Sequence, residues 1–136
     1  MMLLQPDSGS SPVKQFYIWY EKFDAERKAT KQKKRRGYFH EENEKAIIAY
    51  NNEEDPILRN KVYTDFIHKP FMKLAENIIH TFKFYCFDDP YQDVQAEVVA
   101  YLIEKIDKFD PEKGSKAYSY FSIVAKNYLI YNNNEN

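Results

Sequence analysis

Residues 93–130 read DVQAEVVAYLIEKIDKFDPEKGSKAYSYFSIVAKNYLI, and this stretch decides the fold. Its first half predicts a helix over residues 90–109, because apolar side chains recur at helical spacing, at Val94, Val98, Val99, Leu102, Ile103, Ile106 and Phe109. Residues 110–114, DPEKG, contain Pro and Gly and predict a tight turn. A last helix follows over residues 115–131. The stretch therefore predicts two helices joined by a short turn.

More helices are predicted upstream of this pair. Asp-Pro pairs at residues 55–56 and 89–90 are typical helix starts, since Asp caps a helix and Pro fits its first turn. The first pair predicts a helix over residues 56–68, and Pro70 either kinks it or starts another helix over residues 70–85. Residues 41–50 predict a short helix of their own.

The N-terminal part combines an aromatic segment with a basic one. Apolar side chains at helical spacing predict a helix that begins at Val13, runs into the basic segment and stops at Gly37. Residues 26–36 hold seven basic residues against one acid, namely Arg27, Lys28, Lys31, Lys33, Lys34, Arg35 and Arg36. Such a block is either a solvated arm or a surface that contacts the phosphates of duplex DNA.

Composition narrows the fold class. Three glycines among 136 residues disfavour β-hairpins and barrels, which need Gly at their turns. No apolar run approaches the roughly 20 residues of a membrane-spanning helix. We expect an all-α chain with a disordered stretch at residues 1–12, a helical aromatic and basic arm at 13–36 and a compact helical domain at 37–136. A single cysteine, Cys86, indicates a reducing cytoplasm.

Catalytic and metal-binding patterns do not occur in the sequence. His40, His68 and His80 are far apart, and Cys86 has no second cysteine with which to complete a zinc site. The sequence has no phosphate-binding Gly loop, no nucleophile elbow and no dinucleotide motif. We therefore expect a protein that is not an enzyme and has no catalytic residues, no metal and no cofactor.

The predicted last helix mixes aromatic rings with hydroxyl groups and a few cations. This mixture is typical of surfaces that bind single-stranded nucleic acid, where rings stack on bases and Lys neutralises phosphate. The alternative is that half of these aromatic residues belong to the core, as fits Phe121, Val124, Ala125 and Tyr128, which share one helix face.

Residues 108–121, KFDPEKGSKAYSYF, resemble the signature of the second conserved region of bacterial sigma factors, in which a helix leads through a Phe-Asp-Pro-x-x-Gly turn into a promoter-melting helix. The correspondence is ungapped over residues 93–130. The chain is most similar to the late-transcription sigma factors of large tailed phages, and residues 33–134 are similar to the cyanophage versions. The resemblance implies a region-two-like helical domain in the cytoplasm of an infected bacterium. There it would direct the host RNA polymerase core to AT-rich late promoters and help melt them.

The resemblance also implies roles for individual residues. Asp93, Glu97 and Ile103 would contact the clamp helices of the polymerase's largest subunit. The promoter DNA contacts would come from the last helix, at Lys116, Tyr118, Tyr120, Ile123, Lys126 and Asn127. Among these, Tyr120 would stack against a flipped adenine of the non-template strand, and Asn127 would contact a base.

The sequence departs from the family pattern at several points. A family Gln falls at Ala96, beside Gln95, and the family's tandem Trp wedge is replaced by Ile123 and Val124. No segment resembles the upstream promoter-reading domain. The phage relatives bind a sliding clamp through a C-terminal tail, which is not evident here. Either the sliding-clamp contact is absent, or it lies in the N-terminal arm, or this chain is shorter than its relatives.

Three further alternatives stay open. The aromatic helix at residues 16–23 either packs on the domain or docks on the polymerase or a coactivator. The whole chain is alternatively a polymerase-binding regulator, an appropriator or inhibitor that does not read the promoter. A third interpretation, supported by the basic block alone, is a helical accessory protein that binds nucleic acid.

Overall fold

Helices make up most of the described chain. The computed structural model describes residues 11–30, 35–81 and 91–135. The α-helices are α1 (Pro12–Ala29), α2 (Glu41–Asn52), α3 (Pro56–Val62), α4 (His68–Thr81), α5 (Tyr91–Lys105) and α6 (Ala117–Glu135). A π-helical segment, Tyr63–Ile67, joins α3 to α4, and two 3-10 turns, Ile106–Lys108 and Pro111–Lys113, lie between α5 and α6. These three ranges contain no β-strand, which confirms the predicted all-α class for them.

The start of α3 shows the capping that its sequence predicts. Asp55 accepts a hydrogen bond from the backbone N–H of Ile57 at 2.9 Å, and Pro56 occupies the first helical position of α3. Ser11 caps α1 in the same way, through the N–H of Lys14 at 3.2 Å. The second predicted Asp-Pro start, at residues 89–90, lies outside the described residues, as does the thiol of Cys86. Of the stretch at residues 1–12 that was expected to be disordered, residues 1–10 also lie outside them. The expectation is wrong for Ser11 and Pro12, which form the cap and the first residue of α1.

The prediction that α1 runs to Gly37 is wrong, because the helix ends at Ala29. Thr30 closes it by donating its N–H to the Glu26 carbonyl and its hydroxyl to the Arg27 carbonyl, each at 3.1 Å. Farther along, residues 35–40 form no helix. Arg35 instead forms a two-pronged ion pair with Glu42 at the start of α2, with N–O distances of 2.8 and 2.5 Å.

Two compact units make up the chain, Met1–Phe66 and Ile67–Asn136. In the first unit α1 packs on α2 and α3. Phe16 is buried and meets Phe66 edge to face, with ring centroids 4.9 Å apart. The buried carboxylate of Glu53 accepts N–H bonds from Val13 at 3.0 Å and from Asp55 at 3.1 Å, so one side chain ties together the starts of α1 and α3.

Pro70 does not start a new helix, because it lies inside α4. A proline has no N–H to give the carbonyl four residues earlier, which here belongs to Phe66. The side chain of Asn43 supplies the missing donor at 2.8 Å, and the helix widens into the π segment around this point. The helix thus passes the proline because α2 satisfies the released carbonyl.

In the second unit α4, α5 and α6 pack against one another. Phe71 of α4 and Phe121 of α6 are both fully buried, with ring centroids 5.0 Å apart. Within α5 the predicted apolar stripe is buried, comprising Val94, Val98, Val99 and Leu102, and Ile106 and Phe109 continue it beyond the helix. Ile103, which was expected to widen this stripe, is 37% exposed because it falls at the edge of the outward face.

Candidate functional site

The outward face of α5 carries three acids in line. Asp93, Glu97 and Glu104 are exposed and follow one another at intervals of four and seven residues, which keeps them on one side of the helix. Ile103 lies beside them at the edge of that face. We call Asp93, Glu97, Ile103 and Glu104 the acidic face. It combines negative charge with one apolar side chain, a combination that suits a basic protein surface.

Gln95 does not belong to the acidic face. Its side-chain amide donates to the backbone carbonyl of Met72 at 2.9 Å, so the group is used in joining α5 to α4. Ala96, to which the resemblance assigns a family Gln, is exposed. Gln95 therefore cannot take the place of the family Gln while its amide is bonded to the Met72 carbonyl.

The turn between α5 and α6 has the conformation its residues predict. Asp110 accepts the N–H of Glu112 at 2.9 Å, and Gly114 adopts a left-handed φ of 90°, which a side chain would disfavour. Phe109, buried just before the turn, lies under α6, with ring centroids 5.6 Å from Tyr120 and 5.9 Å from Phe121. The turn and its aromatic anchor therefore fix the start of α6.

Tyr120 is half-buried, held by rings on two sides. It meets Phe121 edge to face at 4.9 Å in addition to its contact with Phe109. Burial, followed by the nearby Asp107 and Tyr101, raises the pKa of Tyr120 above its ordinary value. The side chain is therefore a neutral phenol at physiological pH, suited to stacking, and its ring orientation is fixed before any ligand arrives.

The structure brings three of the predicted DNA-contacting residues onto one face of α6. Tyr120, Ile123 and Asn127 follow one another at intervals of three and four residues, Ile123 is 60% exposed, and Asn127 is exposed. Lys126 borders this face and is half-buried, while Lys116 is exposed just before the helix. We call Tyr120, Ile123, Lys126 and Asn127 the α6 face.

Tyr118 does not share this face. It is exposed, but residues two positions apart on a helix point roughly 160° away from each other, so it lies far from Tyr120 around the axis. Of the residues assigned to the core by sequence, Phe121 and Ala125 are fully buried, whereas Val124 and Tyr128 are half-buried.

The basic block is partly neutralised inside the first unit. Arg27 and Lys28 both pair with Asp24, at 3.5 and 3.2 Å. Burial acts to raise the pKa of Glu42, but the hydrogen bonds from Arg35 and the backbone outweigh it, so the pKa of Glu42 lies below its ordinary value. The fourth cation with a described position, Arg36, is exposed. Lys31, Lys33 and Lys34 lie outside the described residues.

A cleft that the sequence did not suggest lies between α5 and α6. Its volume is about 390 Å³, and it is lined by Tyr101, Asn127, Tyr128, Tyr131 and Asn132. The spacing of the four lining residues of α6 could have indicated the cleft. Tyr131 lies four residues after Asn127 and Asn132 four residues after Tyr128, so the four side chains share one side of the helix. We call this the tyrosine cleft. It is continuous with the α6 face through Asn127.

No group of His, Cys, Asp or Glu side chains within the described ranges is arranged to hold a metal ion. Likewise, no helix described here is long and apolar enough to cross a membrane. The chain matches no protein-family model, no curated protein and no solved structure. The function therefore has to be argued from the surfaces of α5 and α6 themselves.

Proposed function

We propose that this chain is a phage-type sigma factor that binds the core RNA polymerase of a bacterial host through the acidic face and helps melt AT-rich promoter DNA through the α6 face. It performs no covalent chemistry, which is left to the polymerase. The observation that carries the proposal is that the acidic face and the α6 face both lie on the outside of α5 and α6, two helices that pack together.

The acidic face supports the docking half of the proposal. Asp93 and Glu97 are exposed one helical turn apart, so both carboxylates can meet one basic partner helix. Ile103 adds exposed apolar area at the edge of the same face. A charged patch around an apolar contact gives fast, oriented association, which a subunit that must be loaded onto a polymerase requires.

The α6 face supports the melting half. Tyr120 presents a ring whose orientation is fixed by Phe109 and Phe121, and a base flipped from the duplex gains stacking energy on such a ring. Ile123 projects one turn further along as an aliphatic wedge that can support an unstacked base step. Asn127 follows with an amide that can pair with adenine through two hydrogen bonds. Together they would favour an AT-rich element.

One observation favours a second candidate, a regulator that occupies the polymerase without reading the promoter. Where the sigma family has two adjacent Trp rings, this chain exposes only Ile123, since Val124 is half-buried. An aliphatic wedge offers no ring to a flipped base, so promoter opening would depend on Tyr120. The two candidates share the docking face and differ in whether α6 touches DNA.

The docking test compares charge reversals at matched sites. The double variant Asp93→Arg and Glu97→Arg should lose binding to bacterial core polymerase by about 30-fold or more, since truncating charged pairs at interfaces typically costs about 2–5 kcal/mol. Glu26→Arg with Glu54→Arg, two exposed acids of the first unit, changes the net charge equally and should leave binding unchanged. Equal binding by wild type and the α5 variant would show that the acidic face does not dock.

The melting test uses the polymerase complex on a late-type promoter. Tyr120→Ala should keep polymerase binding but reduce open complexes, detected by permanganate reactivity of unpaired thymines, while Tyr120→Phe should retain them because it keeps the ring. If Tyr120→Ala opens promoters as well as wild type, the α6 face has no melting role. Normal docking without promoter opening by wild type would favour the regulator.

A further inference from the structure

The tyrosine cleft has the dimensions and lining of a ligand site. At about 390 Å³ it falls within the range of small-molecule sites, about 300–1,000 Å³. Three of its five lining residues are tyrosines and two are asparagines. Aromatic walls with a few polar groups bind flat, uncharged ligands that also form hydrogen bonds.

The rings offer a stacking surface. Tyr101 and Tyr128 pack on each other with centroids 4.7 Å apart and planes inclined at 33°, which makes a firm wall. Tyr131 lies one turn beyond Asn127 and is 66% exposed. A large exposed ring beside such a wall provides an open face for another flat group.

The amides supply the hydrogen-bonding edge. Asn127 is exposed and carries both a donor and an acceptor, the pair that matches the edge of adenine. Asn132 donates its side-chain amide to the backbone carbonyl of Tyr128 at 2.8 Å, which holds its position in the lining.

The charges near the cleft favour a neutral base inside it and exclude a phosphate. The Tyr128 hydroxyl lies 3.4 Å from a carboxylate oxygen of Glu97, so an anion inside the cleft would meet a negative charge. The ammonium of Lys105, which does not line the cleft, lies 5.4 Å from the centroid of the Tyr101 ring. This arrangement suits a neutral base inside the cleft with its phosphate outside, towards the lysine.

We propose that the tyrosine cleft binds one unpaired nucleobase of single-stranded DNA, with adenine preferred, stacked on Tyr131 and hydrogen-bonded to Asn127. The proposal rests on the proposed function in taking a separated promoter strand as the ligand. It assigns the adenine contact of Asn127 to a second base-binding position, separate from Tyr120 and farther along α6. A strand held at both positions would be kept from re-annealing over a longer stretch.

The experiment uses the full chain without polymerase, so its outcome is independent of docking. Fluorescence anisotropy compares a labelled oligodeoxyadenylate with an abasic strand of the same length. Wild type should bind the adenylate strand more tightly. Tyr131→Ala should weaken that binding by about 5- to 150-fold, the loss of one stacked base, while Tyr131→Phe should retain it. Ile18→Ala, a variant of a similarly exposed side chain on α1, should bind as wild type does.

A second measurement locates the base. Titration with deoxyadenosine monophosphate should shift the NMR signals of Tyr101, Asn127 and Tyr131, and these shifts should be lost in Tyr131→Ala. The proposal is overturned if both strands bind equally, if neither binds, if Tyr131→Ala binds as wild type does, or if the shifts fall elsewhere. A failed polymerase pull-down together with cleft binding would reject the sigma-factor proposal and leave the base site standing.

Discussion

Replacing Asn43 by Ala tests how the helix passes Pro70. Asn43 is 8% exposed and makes two hydrogen bonds, donating to the Phe66 carbonyl at 2.8 Å and accepting from the His40 N–H at 2.7 Å. Without the amide, the Phe66 carbonyl loses a donor that Pro70 cannot replace, and an unsatisfied buried group costs about 1–3 kcal/mol. Loss of the cap interaction at His40 adds about 0.5–2 kcal/mol. We expect a total destabilisation of about 2–4 kcal/mol.

Urea unfolding followed by tryptophan fluorescence is the appropriate assay. The only tryptophan, Trp19, lies on α1 in the same unit as Asn43 and Phe66, so its signal reports the unit that is perturbed. With a denaturant dependence of about 2 kcal/mol per molar urea, the middle of the usual range, the midpoint should fall by about 1–2 M. Asn60→Ala, at an exposed position of α3, should leave the midpoint nearly unchanged.

Asn43→Asp separates the two bonds. The carboxylate keeps an acceptor for the His40 N–H but has no donor for the Phe66 carbonyl, so most of the destabilisation should remain. If Asn43→Ala unfolds at the same urea concentration as Asn60→Ala, then the Phe66 carbonyl does not depend on Asn43. The explanation for the helix continuing through Pro70 would then be wrong.

Three other changes have defined outcomes. The pKa values of Glu42 and Glu53 are both lowered. Burial acts to raise each value, but hydrogen bonds to each carboxylate outweigh the effect of burial. A lowered folded pKa means stability that is present above the ordinary value of 4.5 and lost as pH falls below it, so Glu42→Gln should flatten the acid side of a stability-versus-pH curve from urea unfolding. A slope equal to that of wild type would contradict this. Phe121→Ala removes a fully buried ring packed on Phe71 and should cost about 3–5 kcal/mol, seen by circular dichroism as a lowered midpoint, whereas Ser119→Ala at an exposed position should not. Gly114→Ala forces a side chain to a φ of 90°, and with open space around the site the cost is backbone strain of about 1–2 kcal/mol. A midpoint unchanged from wild type would show that the turn relaxes.

The helix pair α5 and α6 was predictable because its signals are local. The apolar spacing of α5 and the turn at residues 110–114 depend only on neighbouring residues. The structure reproduces the turn and most of the apolar stripe, although Ile103 is exposed and α5 ends at Lys105 instead of Phe109. The outward positions of Asp93 and Glu97 follow from the same spacing, since they fall opposite the buried stripe.

The errors arise where distant residues decide the local structure. The helix α1 was expected to include Arg35 but ends at Ala29. Arg35 instead pairs with Glu42 of α2, and the apolar spacing of α1 carries no information about that pair. The π segment depends on an amide 23 residues earlier in the chain. The polar side chains of Glu42, Asn43 and Glu53 are buried although their residue types indicate exposure. Glu53 meets the N–H of Val13 40 residues away, Asn43 meets the Phe66 carbonyl 23 residues away, and Glu42 meets Arg35 outside the helices.

Of the candidate site, the sequence predicted the components but not their grouping. The α6 face holds Tyr120, Ile123 and Asn127 as helical spacing requires, but Tyr118 points elsewhere. The tyrosine cleft was missed because Tyr101 belongs to α5 and only the packing of α5 on α6 brings it to Tyr128.

The hydrogen bond between Val13 and Glu53 joins two residues that are synthesised at different times. The N–H of Val13 leaves the ribosome 40 residues before the carboxylate that receives it, and Phe16 leaves still earlier relative to its ring partner Phe66. At about 5–20 residues per second, Val13 is without the Glu53 carboxylate for roughly 2–8 seconds of translation, and Phe16 is without Phe66 for roughly 2.5–10 seconds. During that interval the nascent chain presents Phe16 to chaperones and to other unfolded chains, so α1 is the segment on which misassembly during synthesis should begin.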